Sequence, residues 1–451
     1  MNKAVRVIII IAGVLAVLLA AGYWFMQWSV SFSGDIAWRS DRIPALAKTI
    51  PPVTATAAGT ADWTSWLGPL GNNTSPVTGI KKDWSRGLKK AWEIGYLCTG
   101  PKAMSWACPA IRGNRLVVPG RDATNDYLFC LDPLTGALLW LQKYPLNAKD
   151  NYGQGQRATP AIDGDAVYTI SREGDVRCNA LFDGALRWEY NITNAGCTPP
   201  EWGSSGSPLI YKDTVIVHAG GKSVAVALDK VNGTLRWKSA PGMGCYSTPA
   251  VMTIGAKDYI VLYHKPAVSF IDAATGKTMW NIPTGRYASD MTAVTPAILG
   301  STVLVSTLKG GGSICIRITN GRPEKMWATN SLQAYMTDPI LINGYAYGYS
   351  GMPLANSMGS FVCVDLSNGA KMWKTNALGI GTTIAADGHL ICLDLSGTLY
   401  LVKADSSGPV IVTKMKGAIP EGKKRVWTKP VIAGDRIYLR HGNMLVCYFL
   451  K

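Results

Sequence analysis

The chain has 451 residues, and 45 lysines and arginines against 29 aspartates and glutamates give it a formal net charge of +16. Only 16% of the residues are charged, which is typical of a sheet protein with many small turns. The positive field favours anionic partners such as lipid surfaces or acidic glycans, and nucleic acid is not expected. The sequence has no zinc-type cysteine spacing, haem-attachment motif, phosphate loop or Gly-x-Ser-x-Gly motif, which excludes those classes of site.

The first 60 residues predict a membrane attachment. Residues 1–6 include Lys3 and Arg6, and the run from 7 to 30 carries no charge. Because about 20 apolar residues span a bilayer, we predict a transmembrane signal anchor at 7–30 rather than a cleaved signal peptide. Residues 1–6 are then cytoplasmic, and the rest of the chain is membrane-anchored in the periplasm or outside the cell. Proline, alanine and threonine in residues 31–60 predict a flexible linker.

From residue 61 onward a tryptophan recurs every 43 to 49 residues, and a turn of the type Asp-x-x-Thr/Asn-Gly precedes most copies. The seven tryptophans are Trp92, Trp140, Trp188, Trp237, Trp280, Trp327 and Trp373. A fixed period in the forties is the signature of a propeller or solenoid. Short runs rich in Val, Ile, Tyr and Leu lie between Gly, Asn and Asp turns and predict strands, so helices should be rare.

A second marker sets the number of units. A proline opens a short apolar stretch in seven of them, at Pro109, Pro160, Pro208, Pro249, Pro296, Pro339 and Pro430. Ile384 takes the proline position in the remaining unit, which makes eight. Residues 61–451 are therefore predicted to be an all-β, eight-bladed β-propeller with four-stranded blades. The last blade is closed by both termini, with two strands expected from each.

The pattern Leu-Asp-x-x-Thr-Gly-x-x-x-Trp resembles the repeat of the quinoprotein-type, or PQQ-like, propellers, and the likeness covers about nine-tenths of the chain. The superfamily includes alcohol and methanol dehydrogenases and a membrane-anchored outer-membrane assembly lipoprotein, to which this chain is similar. The resemblance implies that each repeat tryptophan docks between neighbouring blades. In the seventh unit the turn at 405–408 is followed by Val412 where tryptophan is expected, which predicts looser packing there.

The ten cysteines fall into two sets. Cys130, Cys178, Cys315 and Cys363 recur at matching strand positions, and Cys392 and Cys447 also lie in apolar strand runs, so these are expected to be buried and unreactive. The other four lie in loops. Because an oxidising compartment permits disulfides, we expect the pairs Cys98–Cys108 and Cys197–Cys245.

Candidate binding residues lie where loops converge on the mouth of the central channel. The positions three before each marker include two tryptophans, a tyrosine and an arginine, which suit a flat ligand and an anion. We predict a ligand site formed by Trp106, Arg157, Glu201, Tyr246, Asp290, Asp338, Trp427 and Lys429. A pyrroloquinoline quinone would need such a stacking surface, an arginine and a calcium ion held by carboxylates. No dedicated protein metal site and no catalytic residue are assigned.

The sequence is compatible with three functions. The first is a non-catalytic, membrane-anchored module that acts as a scaffold and binds cell-envelope proteins or glycans, without a cofactor. The second is a quinoprotein dehydrogenase acting on alcohols or sugars with pyrroloquinoline quinone and calcium. The third is a binder of anionic envelope polymers, which the net charge favours. Because the cofactor hallmarks are incomplete, the sequence favours the first function and a protein that is not an enzyme.

Overall fold

The structure is a computed structural model that describes residues 42–54, 61–100, 102–146, 153–284, 293–308, 312–351, 359–419 and 426–451. Within these ranges the strands form eight antiparallel ladders of four strands each. The predicted eight-bladed, all-β propeller is therefore confirmed. The described helical content is one four-residue 3₁₀ turn, Ile192–Ala195.

The blades are numbered in chain order, and the strands of each run from the channel outward. Blade 1 consists of Ala110–Arg112, Arg115–Arg121, Asn125–Leu131 and Leu138–Pro145. Blade 2 consists of Ala161–Asp163, Ala166–Ile170, Asp175–Ala180 and Leu186–Asn191. Blade 3 consists of Leu209–Tyr211, Thr214–His218, Ala225–Asp229 and Leu235–Lys238. Blade 4 consists of Ala250–Ile254, Lys257–His264, Ala267–Asp272 and Thr278–Pro283.

The second half of the ring repeats this order. Blade 5 consists of Ala297–Leu299, Thr302–Thr307, Gly312–Thr319 and Arg322–Thr329. Blade 6 consists of Ile340–Ile342, Tyr345–Gly351, Gly359–Asp365 and Lys371–Thr375. Blade 7 consists of Gly381–Ala386, His389–Asp394, Leu399–Lys403 and Ile411–Met415. Blade 8 consists of Val431–Ala433, Arg436–His441, Met444–Phe449 and Lys90–Ile94.

Blade 8 is closed by both termini, but not with two strands from each as the sequence had predicted. The N-terminal side supplies only the outermost strand, Lys90–Ile94, and the C-terminal side supplies three. The reason lies in the repeat itself. The last unit stops just before its tryptophan strand, so Trp92 supplies the missing strand and pairs opposite Cys447. A further short strand, Thr74–Ser75, adds in parallel to the inner strand of blade 7.

The repeat tryptophans join each blade to the next. Six of them donate from Nε1 to a main-chain carbonyl in the turn of the following blade, at distances of 2.9–3.2 Å. At five of these junctions the ring also covers the turn glycine so closely that an added Cβ would lie 2.5–2.9 Å from it. Glycine is required there for two reasons, because the turn needs a positive φ and the tryptophan occupies the Cβ position.

Substitution of two glycines with similar backbone conformations separates the effect of the positive φ from that of the tryptophan contact. Gly276 has φ +74°, and a Cβ there would lie 2.6 Å from Trp237, whereas Gly255 has φ +62° and open space around it. We expect Gly255→Ala to lower the free energy of unfolding by about 1–2 kcal/mol through backbone strain. Gly276→Ala should cost about 1–3 kcal/mol more because the ring must move. Urea denaturation of both variants measures the difference, and equal losses would contradict the tryptophan–glycine contact.

The tryptophan position of blade 7 belongs to Thr413 and not to Val412. Each outer strand contains a bulge, after which the tryptophan pairs with the third strand, and in blade 7 Thr413 pairs with Leu401 in this register. Val412 is the bulge residue. The junction is also not left open, because Trp84 lies in the apolar cluster shared by blades 7 and 8. The main-chain N–H of Trp84 donates to Thr413 Oγ1 at 2.9 Å.

The predicted disulfides are not formed. All ten cysteines are buried free thiols. Cys98 lies against the Arg440 guanidinium, whereas Cys108 Sγ donates to the Lys429 carbonyl oxygen. Cys197 Sγ donates to the carbonyl oxygen of Ser223. The loop cysteines are thus held by separate main-chain and side-chain contacts rather than by one another.

Burial should protect these thiols in an oxidising compartment. Desolvation raises the pKa of Cys178 and Cys447 to about 11 and that of Cys392 to about 12, and the reactive species is the thiolate. We expect the folded protein to react with a thiol-specific reagent at essentially none of its ten cysteines. In concentrated guanidinium chloride all ten should react. A reproducible loss of titratable thiols in the unfolded, unreduced protein would contradict the free state.

The predicted anchor and linker precede the propeller in the chain. No helix within the described ranges has the length and apolar character needed to cross a bilayer, and the predicted anchor at 7–30 lies outside those ranges. Residues 42–54 of the predicted linker do not stand free. Ala47, Ile50 and Val53 pack against the apolar core between blades 1 and 2.

Candidate functional site

A belt of polar side chains surrounds the channel, one residue before each marker position. Its members are Cys108, Thr159, Ser207, Thr248, Thr295, Asp338, Thr383 and Lys429, all of them buried. At several junctions the side-chain oxygen of one blade accepts the main-chain N–H of the preceding blade. Cys108 donates to Thr159 Oγ1 at 3.0 Å, and Thr295 donates to Asp338 Oδ1 at 2.8 Å. The belt satisfies main-chain donors where the strands begin and so fixes neighbouring blades to one another.

The channel has a mouth end, where the chain enters each inner strand, and a far end, where the inner strands turn back. Residues 61–75 cross this channel. Trp63 pairs with Ile111 of blade 1, and the Thr64 carbonyl accepts from Ile162 of blade 2. Across the ring, Trp66 Nε1 donates to Asp338 Oδ2 of blade 6 at 2.8 Å. Because blades 1 and 6 lie on different sides of the ring, the segment spans the channel between them.

The crossing segment is held by a buried ionic cluster. Asp338 Oδ2 accepts from Trp66 Nε1 and from Asn73 Nδ2, the latter at 3.2 Å. Lys429 Nζ donates to Asn73 Oδ1 and lies 3.9 Å from Asp338 Oδ2. The same ammonium lies 3.4 Å from the centroid of a Trp66 ring, in a cation–π contact. Burial lowers the pKa of Lys429 to about 8, although the Asp338 carboxylate opposes this shift.

The predicted residues Trp106 and Trp427 meet at the mouth. Their rings lie 4.6 Å apart between centroids with an interplanar angle of 39°, and His441 lies 6.0 Å from Trp106. Beside Trp427, a narrow cleft is lined by Tyr335, Met336 and mainly apolar residues of blades 6 to 8. This part of the mouth therefore presents an apolar, aromatic surface.

A second aromatic group lies at the mouth ends of blades 2 to 4. Arg157 donates to the carbonyl oxygens of Trp202 and Gly153. Trp202 stacks on Tyr246 at 6.0 Å, and its main-chain N–H donates to the Tyr246 hydroxyl oxygen. Burial raises the pKa of that hydroxyl. Glu201 is exposed beside this group, and Asp290 lies outside the described residues.

The seven predicted residues that the structure describes thus do not converge on one ligand site. Trp106 and Trp427 contact each other, Arg157 and Tyr246 meet through Trp202, and Asp338 and Lys429 lie deeper, around the crossing segment. Sequence reasoning missed Trp66 and Asn73 because residues 61–75 have no counterpart in the repeat. The available signal was the pair Trp63 and Trp66, which lies outside the tryptophan period.

These residues do not fit a bound quinone in the observed arrangement. A flat ring sandwiched between Trp106 and Trp427 needs a separation of about 7 Å, since each contact requires about 3.5 Å. The observed centroid distance is 4.6 Å. Both Asp338 oxygens already accept hydrogen bonds, and Arg157 is engaged by main-chain carbonyls. Among the described residues no group of three or more His, Cys, Asp and Glu side chains is arranged to hold a metal ion.

A buried histidine behind the mouth should make the fold sensitive to acid. His218 Nδ1 lies 2.9 Å from the Ser247 carbonyl oxygen, and Nε2 accepts from the Cys245 N–H, so the neutral ring uses both nitrogens. Burial lowers its pKa to about 4. As pH falls from 6.5 to 4, only the unfolded chain gains this proton, and we expect a loss of about 3 kcal/mol from this residue.

Urea denaturation at pH 7 and pH 4.5 measures this loss, and His218→Asn is the informative variant. Its amide still donates to the Ser247 carbonyl but does not titrate. The variant should lose less stability on acidification than the parent protein. The remaining acid sensitivity is expected from His441, whose pKa burial also lowers to about 4, and from His264, whose pKa burial also lowers. An identical pH dependence in both proteins would contradict the assignment to His218.

Solved structures place this fold among known propellers. BamB from Moraxella catarrhalis aligns with a TM-score of 0.57 at 17% identity, covering 81% of this chain and 98% of that one. The quinohemoprotein alcohol dehydrogenase from Comamonas testosteroni gives 0.59 at 13% identity, with 86% and 80% coverage. A europium-containing methanol dehydrogenase gives 0.56 at 12% identity, with 85% and 90% coverage. These likenesses concern the fold.

The sequence itself carries a more specific match. No curated protein matches the chain. A family model described as "Outer membrane protein assembly factor BamB" matches residues 124–375, which is more than half of the chain. The matched region runs from the third strand of blade 1 to the last strand of blade 6 and contains six of the seven repeat tryptophans. The chain therefore belongs to the outer membrane protein assembly factor BamB family of PQQ-like β-propellers.

Proposed function

We propose that this protein is a membrane-anchored, non-catalytic propeller that binds other cell-envelope proteins at the mouth end of its channel. The observation that carries the proposal is the crossing segment. Trp66 and Asn73 fill the channel interior and engage Asp338 and Lys429, the deepest charged groups of the predicted ligand site. A partner that binds at the mouth therefore contacts a closed surface and does not enter an open channel.

The chemistry of the mouth suits a protein segment. The cleft beside Trp427 is lined mainly by carbon, with Met336 and Tyr335 on its other side. Tryptophan, tyrosine and methionine are enriched in the centres of protein interfaces, where a few buried contacts supply most of the binding energy. An apolar side chain of an extended loop or strand is the expected anchor. The similarity to BamB from Moraxella catarrhalis, and membership of the outer membrane protein assembly factor BamB family, support a binding role in the envelope.

Site-specific photocrosslinking in cells tests this proposal. A photoreactive amino acid at Met336, beside the cleft, should crosslink the full-length protein to a discrete envelope protein. The same group at exposed Ser301, at the far end of blade 5, is the matched control. Trp427→Ala should abolish the Met336 crosslink while leaving the thermal midpoint close to that of the parent. Equal crosslinking from both positions would overturn the assignment of the mouth.

The dehydrogenase alternative has its own test on the same full-length protein. Titration with pyrroloquinoline quinone and calcium, followed by tryptophan quenching, should give no saturable binding. Saturable binding that Arg157→Ala abolishes would overturn the non-catalytic proposal, and alcohol and sugar oxidation would then be assayed.

The location is proposed from the sequence. With residues 7–30 as a signal anchor, the propeller lies on the outer side of the inner membrane. A reporter active only outside the cytoplasm, fused after Lys451, should be active. The protein should also remain in the membrane fraction after alkaline carbonate extraction. Release by carbonate would show that the anchor is absent or cleaved.

A further inference from the structure

Residues 42–54 contact the propeller at the far end of the channel. Ala47 donates to the Leu138 carbonyl at the start of the outer strand of blade 1. Thr54 donates to Asn114 Oδ1, in the turn that follows the inner strand of the same blade. Both contacts lie at the end opposite the mouth. Residues 42–54 therefore run beneath blade 1, at the far end.

A basic segment lies at the same end, at the junction of blades 7 and 8. Residues 81–90, here called the basic arm, contain four lysines and one arginine but only one acidic residue. Lys82 Nζ lies 2.6 Å from Asp387 Oδ2, in the turn after the inner strand of blade 7. This contact places the arm at the far end. The five basic side chains are all exposed.

The arm is held rigidly by its apolar side. Trp84 and Leu88 are buried in the core shared with blades 7 and 8, and Ile80 is buried just before the arm. The Lys81 N–H donates to the Leu450 carbonyl at 2.8 Å, and the Trp84 N–H donates to Thr413 Oγ1. Because the apolar residues face the propeller, the basic residues Lys81, Arg86 and Lys89 project outward. The result is a fixed cationic surface without an apolar edge to insert.

We infer that the basic arm docks on the anionic phospholipid headgroups of the membrane in which the chain is anchored. The inference rests on the proposed anchor at 7–30. Residues 31–41 then separate the bilayer from the propeller, and 11 residues span at most about 40 Å. Each lysine or arginine near an anionic bilayer adds to the electrostatic attraction, so several of them together orient a tethered domain.

This geometry favours a lipid surface over an acidic protein segment. Tethering keeps the propeller within about 40 Å of the headgroups, which raises their effective concentration at the far end. The arm has no buried groove that would select a peptide, and its contacts are of the long-range, salt-sensitive kind. Docking in this way turns the mouth, with Trp106 and Trp427, away from the membrane and toward partners.

Fluorescence quenching in vesicles tests the docking with the full-length protein. All native cysteines are buried, so Ser85→Cys in the arm is labelled selectively, and Glu201→Cys at the mouth provides the control label. The vesicles contain headgroup-spin-labelled lipid, with or without phosphatidylglycerol. We expect at least about twofold more quenching at position 85 with phosphatidylglycerol, reversed by high salt, and no change at position 201.

Charge variants complete the test. Lys81→Gln, Arg86→Gln and Lys89→Gln together should remove the lipid dependence at position 85. The matched control, Lys325→Gln, Lys371→Gln and Lys374→Gln, removes three exposed charges from blades 5 and 6 and should preserve it. Equal quenching in neutral and anionic vesicles would overturn the inference, as would loss of quenching in the control variant. Selective displacement by polyglutamate would instead assign the arm to an acidic protein segment.

Carbonate extraction of the same vesicles separates this inference from the anchor proposal. Release of the protein would show that residues 7–30 do not anchor it in the membrane. Protein that stays in the membrane but shows no lipid-dependent quenching contradicts only the docking of the arm. The mouth crosslink from position 336 is independent of both results.

Discussion

Asp338→Ala is expected to lower the free energy of unfolding by about 3–5 kcal/mol, because it removes one member of a buried ion pair and leaves the other charge uncompensated. The side chains of Asp338 and Lys429 are 3% and 4% exposed. The substitution also removes one of the two acceptors of Trp66 Nε1 and the acceptor of Asn73 Nδ2. Urea denaturation followed by tryptophan fluorescence measures the loss.

The double variant Asp338→Asn with Lys429→Met controls for this prediction. It removes both charges but keeps similar side-chain volumes, and a methionine still packs on the Trp66 ring. Most of the stability should return, since replacing a buried ion pair by uncharged groups of similar volume is often neutral. Limited proteolysis should cut residues 61–75 in Asp338→Ala and spare them in the double variant. A loss below about 1 kcal/mol in Asp338→Ala would contradict the role of this cluster.

Trp237→Ala is expected to cost about 3–5 kcal/mol, the usual range for truncation of a buried tryptophan. The side chain fills the junction between blades 3 and 4, donates to the Ala273 carbonyl at 3.2 Å and covers Gly276. Its loss leaves a cavity that the rigid turn cannot fill. Urea denaturation followed by circular dichroism measures the change.

Trp280→Ala is the matched comparison, since it carries the same truncation at the next junction. Blade 5 replaces the Asp-x-x-Thr-Gly turn by a tight Asn320–Gly321 hairpin, and a Cβ at Gly321 would meet nothing within 4 Å. Trp280 is half-buried and packs mainly on Tyr259 and Phe270 of its own blade. We expect it to cost at least about 1 kcal/mol less than Trp237→Ala. Equal losses would show that the turn glycine contributes nothing to docking.

The two predictions test different sets of contacts that stabilise the same ring. Trp237 reports on the contacts between neighbouring blades at the outer rim, which the repeat encodes. Asp338 reports on the contact between the ring and residues 61–75 at the centre, which the repeat does not encode. If both losses are observed, the ring is stabilised both by contacts between neighbouring blades and by the segment that crosses the channel.

The sequence by itself determined the blade count and the positions of the repeat tryptophans, and the resemblance to PQQ-like propellers implied their docking role. This was possible because these features recur, and a local turn such as Asp132–Gly136 has the same consequence in every unit. It also placed Trp106 and Trp427 at the mouth, since the position of a residue relative to its marker proline fixes its height along the channel. Their mutual contact was not foreseen, because it depends on how blades 8 and 1 are closed together.

The features that do not recur from blade to blade were decided only by the tertiary structure. The path of residues 61–75, the partners of Asp338 and Lys429 and the rigid placement of the basic arm depend on contacts between residues more than 200 positions apart. The division of blade 8 into one and three strands and the assignment of Thr413 to the tryptophan position depend on strand register, which a one-residue bulge shifts. Periodicity encodes the ring, whereas the long-range contacts of its non-repeating parts determine what occupies its channel and where the basic arm lies.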